Sequence, residues 1–172
     1  MNVTLNAAPI TYTVKAYEVK NPNQMSNAFT ATDEYMAAET LKLRDKEKID
    51  ELKYYVKDFD MTSISSQDLK KIGHILYRSD IINFQDYAMF MDGNLTEDEK
   101  GRRIDTHVKF NAIALFSERL EDYSAFLKKY PGDVNKHTLG VRQGMITANR
   151  ALGALTYFSN SARNGLFVDE SV

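Results

Sequence analysis

Few side chains in this sequence have the types and spacing that catalysis or metal binding requires. The three histidines are His74, His107 and His137, and the residues three positions before them are lysine, isoleucine and valine. Without a Glu-x-x-His pair, the usual ligand set of a di-iron helical bundle is missing. A His-Glu-x-x-His motif is absent as well, which excludes the ordinary helical zinc protease. We expect His107 to be solvent-exposed and His137 to be a structural histidine on the apolar side of a helix.

Other common reaction centres and cofactor sites are also missing from the sequence. It contains no cysteine, which excludes disulfides, thiolate zinc sites, iron–sulfur clusters and cysteine nucleophiles. No glycine-rich phosphate loop occurs. A segment that begins at Asp92 resembles the start of a calcium loop, but Glu97 replaces the required glycine and Arg103 replaces the bidentate glutamate. We therefore expect no cofactor and no bound metal, and the balance favours a protein without catalytic activity.

The overall composition is that of one soluble domain. The 172 residues are 43% apolar, which is enough to build a buried core. A net charge of −2 gives no field that would attract nucleic acid or anionic lipid, and the basic cluster around Arg102 is surrounded by acidic residues. No apolar run is long enough to span a membrane, and the first residues lack the features of a secretory signal. The expected location is the cytoplasm, without nucleic-acid or membrane partners.

The first part of the chain differs from the remainder. Apolar and polar residues alternate from Ile10 to Ala16, which indicates an extended segment, but no second strand is evident nearby. The sequence Asn-Pro-Asn at 21–23 then interrupts the alternation. We predict an extended N-terminal arm over residues 1–32, either packed across the helices or partly disordered. Residues 33–172 are predicted to form a single helical domain.

Helix capping signals divide the middle of the chain. Ser65, Asn83 and Thr96 are each followed three residues later by an acidic residue, as at many helix N-termini. They predict two short helices at about 66–77 and 84–91, with Gly93 as the stop, and a third helix that begins at Glu97. Upstream, apolar residues at helical spacing predict one long helix from Asp33, with a possible break near residues 44–47.

Two long helices are predicted in the C-terminal half. The first should run over 97–130, with a broad apolar arc. Arg119 lies inside this arc and must extend to solvent, pair with a carboxylate or face a partner, and an internal salt bridge is the commonest solution. The second should run from about 133 to 164, with Gly140, Gly144 and Ala148 along a packing seam. The predicted fold is an all-α helical bundle of two long C-terminal helices, one long N-terminal helix, two short capped helices and the extended arm.

One stretch resembles a motif found in known proteins. Phe59-Asp60-Met61-Thr62-Ser63-Ile64-Ser65, followed by Asp68-Leu69, Leu76-Tyr77, Ile81-Ile82-Asn83-Phe84 and Tyr87, resembles a motif in a group of small bacterial proteins of unknown function. The stretch Arg150-Ala151-Leu152-Gly153-Ala154-Leu155 is similar to the end of such proteins. The resemblance implies a compact helical domain and no activity.

A second stripe on the last helix is the candidate binding surface. Leu139, Ile146 and Tyr157 project away from the packing seam, and Arg142 and Arg150 flank them. Apolar anchors bordered by arginine are typical of protein interfaces, although a central helix covered on both sides would produce the same pattern. The favoured function is a protein–protein interaction or self-association module, with an unknown partner or a second copy of the chain.

The alternative function is a small-molecule-binding or enzymatic helical domain. It would require a pocket between the two long C-terminal helices. The aromatic side chains expected to line that pocket are Tyr123, Phe126 and Tyr130.

Overall fold

The structure is a computed structural model that describes the backbone of residues 13–169 and the side chains of residues 13–164. The chain is mostly helical. Its elements in order are α1 (Glu34–Thr40), α2 (Lys46–Val56), β1 (Ile64–Ser65), α3 (Ser66–Arg78), α4 (Phe84–Asp92), β2 (Lys109–Phe110), α5 (Ala112–Lys129), a 3-10 turn (Pro131–Asp133) and α6 (Lys136–Asp169). None of these helices is both long enough and apolar enough to cross a bilayer.

The two short helices α3 and α4 confirm the capping analysis. The Ser65 hydroxyl accepts the N–H of Asp68 at 3.1 Å, and the Asn83 side chain accepts the N–H of Asp86 at 2.9 Å. Each bond satisfies a backbone donor that the first turn of a helix leaves unpaired. Gly93 ends α4 at a φ of +53°, where a side chain would also meet the Ser66 hydroxyl. Glycine is the residue that this turn tolerates.

The prediction of a single N-terminal helix was wrong, because the chain turns sharply between α1 and α2, which is close to the possible break predicted near residues 44–47. Lys42 adopts a φ of +55°, and the N–H of Leu43 returns to the carbonyl of Ala38 at 2.8 Å. This arrangement closes the C-terminus of α1. The turn lets α1 and α2 each pack against α6, with Leu41 and Leu52 buried.

The long helix predicted over 97–130 was also wrong, since only α5 is helical in that range. The Asp98 carboxylate accepts the N–H groups of Lys100 and Arg102, and Gly101 takes a φ of +70°. A short acidic side chain that bonds its own following backbone stabilises a turn in competition with a helix. The helix begins at Ala112 instead, where the Asn111 side chain accepts the N–H of Ala114 at 3.0 Å.

A small β-ribbon fixes the start of α5 against the segment before α3. Ile64 pairs with Phe110 and Ser65 with Lys109 in antiparallel register. The N–H of Ala112 also donates to the carbonyl of Met61 at 2.9 Å. The residues that the sequence assigned to the first half of a helix therefore connect two parts of the core.

The last helix, α6, occupies the centre of the fold and contacts α1, α2, α4 and α5. Its residues 151–156 are all buried. The helix starts at Lys136, close to the predicted start near residue 133. The Asn135 side chain caps it by accepting the N–H groups of His137 and Thr138. His137 is exposed, however, which corrects its assignment to the apolar side. His107 is exposed as expected, although it lies in a turn.

The N-terminal arm packs across α6 over the residues that the structure describes, and residues 1–12 of the predicted arm lie outside them. The crossing point is Gly153, where a Cβ atom would collide with the carbonyl oxygen of Phe29 and lie 3.2 Å from Thr30 Cα. By contrast, a Cβ atom added at Gly140, near the start of the same helix, would have no neighbour within 4 Å. The two glycines thus have different structural roles.

We predict opposite effects of Gly→Ala substitution at these two positions. Gly140→Ala should stabilise the fold by about 0.5–1 kcal/mol, since alanine favours the helix and nothing obstructs its methyl group. Gly153→Ala should destabilise it by about 1–3 kcal/mol, because the added methyl group overpacks the contact with the arm. Chemical denaturation of both variants measures the difference. A Gly153→Ala protein as stable as Gly140→Ala would contradict the observed packing.

Candidate functional site

The five residues of the predicted binding stripe lie along α6 in different environments. Leu139 is 51% exposed in the first turn of the helix. Arg142 is partly buried and donates from Nε to the Ser124 hydroxyl of α5 at 3.0 Å. Ile146, one turn further along, is also partly buried.

The other two residues of the stripe flank the crossing point of the arm. Arg150 is exposed, and its guanidinium carbon lies 5.6 Å from the centroid of the Phe29 ring. Tyr157 is partly buried and packs against the hydrophobic core. Gly153, covered by the arm, lies between them on the same helix face. The five residues therefore do not form one continuous exposed surface.

The arm is held mainly through its backbone, and a buried glutamate of α5, Glu118, makes two of these contacts. Glu118 is only 6% exposed. Its two carboxylate oxygens accept the N–H groups of Lys20 and Asn21, each at 2.8 Å. A buried carboxylate requires such partners, since an unsatisfied charge in the interior is strongly destabilising.

Two asparagines bind the arm in the same way. The amide group of Asn111 donates to the carbonyls of Pro22 and Gln24 at 2.9 and 2.7 Å. Asn94 accepts the N–H of Tyr17 at 2.7 Å and donates to its carbonyl at 3.2 Å. All four hydrogen bonds involve backbone atoms of the arm.

A charged contact fixes the arm to the outer face of α5. The Asp122 carboxylate accepts from the Tyr17 hydroxyl at 2.6 Å and from Lys20 Nζ at 2.8 Å. The hydrogen bond from Lys20, followed by that from Tyr17, lowers the pKa of Asp122. Burial and the bond to Asp122 raise the pKa of Tyr17 well above its ordinary value. The arm thus covers the outer face of α5 as far as Asp122.

Beyond Asp122, the outer face of α5 is exposed. Ala125, Lys128 and Lys129 are solvent-exposed on this face. The aromatic rings of the second half of α5 form a row, with centroids 6.2 Å apart for Tyr123 and Phe126 and 5.1 Å apart for Phe126 and Tyr130.

Four large apolar side chains are exposed at the junction of α5 and α6. We call them the tip patch: Phe126, Tyr130, Val134 and Leu139, which are 42–51% exposed. The Tyr123 hydroxyl donates to the carbonyl of Thr138 at 3.2 Å and so ties the two helices together here. Leu139 was predicted as a binding residue and Phe126 and Tyr130 as pocket residues. Val134 was missed, because it lies in the turn and belongs to no helical stripe.

No cluster that could hold a metal ion is present in the described part of the chain. Arg119, which the sequence placed inside an apolar arc, donates to the carbonyl of Gly93 at 3.1 Å. It thereby satisfies the C-terminal end of α4 instead of forming the expected salt bridge.

Comparisons of the chain with protein-family models, curated proteins and solved structures find no match.

We predict that Glu118→Gln will loosen the arm. In glutamine an NH₂ group replaces one of the two carboxylate oxygens. This group cannot accept a hydrogen bond from a backbone N–H, so one of the two bonds to the arm should be lost. Limited proteolysis should then cleave the arm at least about tenfold faster, as expected for a loss of roughly 1.4 kcal/mol when cleavage follows the open population.

The matched control is Glu51→Gln, an exposed glutamate of α2. It should leave the cleavage rate unchanged. Equal rates for both variants would show that Glu118 does not hold the arm.

Proposed function

We propose that this protein is a non-catalytic self-association module that forms a two-fold symmetric dimer through the exposed half of α5 and the tip patch. Two observations support the proposal. Exposed apolar side chains lie at the junction of α5 and α6, and the charged residues of α5 are ordered so that they can pair with those of a second copy. Exposed apolar groups gathered in one place are typical of interaction sites.

The charge order supports a second copy of the chain as the partner. Glu121 and Asp122 precede Ala125 on the exposed face of α5, and Lys128 and Lys129 follow it. If two α5 helices pair antiparallel about Ala125, Glu121 of each copy lies opposite Lys129 of the other. A two-fold interface brings the same surface patch of both subunits together, so it requires this kind of self-complementarity.

The positions of these residues on the helix suit such pairing. Glu121, Ala125 and Lys129 are spaced four residues apart, so they follow one ridge of the helix surface. Ala125 at the centre is small enough to let the two helices approach closely. Asp122 is already bound by Tyr17 and Lys20, whereas Glu121 accepts the Ser117 hydroxyl of its own helix and forms no ion pair within the described residues.

The apolar part of the interface is provided by the tip patch. Phe126 and Tyr130 lie beside the central ridge, and their rings are already packed against each other. Ordered aromatic side chains lose little conformational freedom when they are buried, which makes them effective anchors.

The small-molecule alternative has less support at its predicted location. The rings of Tyr123 and Phe126 are stacked, the ring of Tyr130 is tilted against that of Phe126, and the hydroxyl of Tyr123 is bonded to α6. Phe126 and Tyr130 are 42% and 45% exposed, so a large part of each ring faces solvent. The aromatic row therefore favours an outward-facing surface over a pocket.

A charge-swap experiment tests the proposed dimer. Glu121→Lys and Lys129→Glu should each weaken dimerisation by about tenfold or more, because symmetry repeats each like-charge contact. The double variant, with both changes, should restore it. Sedimentation equilibrium over a wide dilution range measures the mass of each variant.

Lys100→Glu is the control, because Lys100 is an exposed lysine in the turn before β2. It should dimerise like the unmodified protein. A monomer at every concentration, or a double variant as weak as the single ones, would refute the proposed interface.

A further inference from the structure

Asp122 is the second acidic residue on the face of α5 that the proposed dimer uses, and the arm already occupies its carboxylate. Oδ1 accepts from Lys20 Nζ at 2.8 Å, and Oδ2 accepts from the Tyr17 hydroxyl at 2.6 Å. Each oxygen therefore has a donor from the arm. The ammonium group of Lys20 also balances the charge of the carboxylate, so the two together present a neutral pair to anything that approaches this side of α5.

The contact lies at the surface and can be exchanged for another. The side chains of Lys20 and Asp122 are 68% and 49% exposed. An exposed ion pair holds its partners weakly, so a second cation in the right position can compete for the carboxylate. The arm thus holds Asp122 without enclosing it.

The proposed pairing of α5 places such a cation opposite Asp122. In an antiparallel pair centred on Ala125, each residue faces the residue of the other copy that is equally far from Ala125 on the opposite side. Asp122 precedes Ala125 by three positions, and Lys128 follows it by three. Lys128 of the second copy would therefore face Asp122, in the same way that Lys129 would face Glu121.

Lys128 has no competing ion pair in the part of the chain that the structure describes. It is exposed in the last turn of α5. In the dimer, one carboxylate would thus face two cations, Lys20 of its own arm and Lys128 of the second copy. As long as Lys20 is bound, Lys128 meets a neutral pair and a like charge beside it.

The backbone of the arm does not depend on this side-chain contact. The N–H groups of Lys20 and Asn21 donate to Glu118, and the carbonyls of Pro22 and Gln24 accept from Asn111. The Lys20 side chain can therefore leave Asp122 while the arm keeps its path along α5.

We infer that the arm restrains self-association, because Lys20 and Tyr17 occupy the carboxylate that would otherwise pair with Lys128 of a second copy. This inference rests on the proposed dimer and adds its regulation. Release of Asp122 adds one ion pair on each side of the two-fold axis. It therefore tightens the dimer without any change in the fold.

Lys20→Met tests the restraint, since methionine keeps much of the apolar stem and removes the ammonium group. The dissociation constant of the dimer should fall about threefold or more, because symmetry forms the new ion pair twice. Sedimentation equilibrium measures it. Lys15→Met is the matched control, because Lys15 is an exposed lysine of the arm that forms no ion pair within the described residues. It should leave the dissociation constant unchanged.

Two second-site changes test whether the gain passes through the assigned pair. Asp122→Asn removes the contested carboxylate, and Lys128→Met removes the cation that would gain it. In either background, the further change Lys20→Met should no longer tighten the dimer. Such non-additivity is expected of groups that share one partner, whereas a general effect of net charge would persist in both backgrounds.

The outcomes separate this inference from the dimer itself. If the unmodified protein and Lys20→Met are monomers at every concentration, the interface and its regulation are both refuted. If the protein dimerises but Lys20→Met leaves the dissociation constant unchanged or raises it, only the restraint by the arm is overturned. Equal tightening by Lys15→Met, or a gain that survives Asp122→Asn or Lys128→Met, also overturns it.

Discussion

Hydrogen bonding between buried polar side chains and the backbone of the N-terminal arm is the constraint on which the rest of the structure depends. Glu118 of α5 and Asn111 at its N-cap are buried and need partners. The arm supplies backbone N–H groups to Glu118 and backbone carbonyls to Asn111. A buried carboxylate left unpaired would cost several kcal/mol. Because these bonds fix the path of the arm, it crosses α6 at Gly153 and leaves the second half of α5 exposed.

Local chemistry explains which elements could be predicted from the sequence. The caps at Ser65 and Asn83 act within four residues, so the starts of α3 and α4 were found correctly. The same pattern at Thr96 was misleading, because Asp98 uses its carboxylate to close a turn instead. The role of Glu118 could not be found, because its partners are main-chain groups almost a hundred residues away and leave no signal in side-chain pattern.

For the candidate sites as well, local spacing could be predicted from the sequence and long-range contacts could not. Periodicity placed Leu139, Arg142, Ile146, Arg150 and Tyr157 on one face of α6, and they do share a helix face. It could not show that the arm covers the middle of that face at Gly153. Leu139 belongs to the tip patch, whereas Arg150 lies beside Phe29 of the arm. The five residues were thus predicted to form one surface, but the arm divides them in the folded protein.

Amide hydrogen exchange at Lys20 and Asn21, followed by NMR, tests the central claim most directly. Both N–H groups donate to the buried Glu118 carboxylate. They should therefore exchange far more slowly than the neighbouring amides of the arm, because exchange requires the arm to leave α5. Exchange of these two amides at the rate of an unstructured peptide would contradict the account, since the arm would then not be held and the exposed surface of α5 would have different limits.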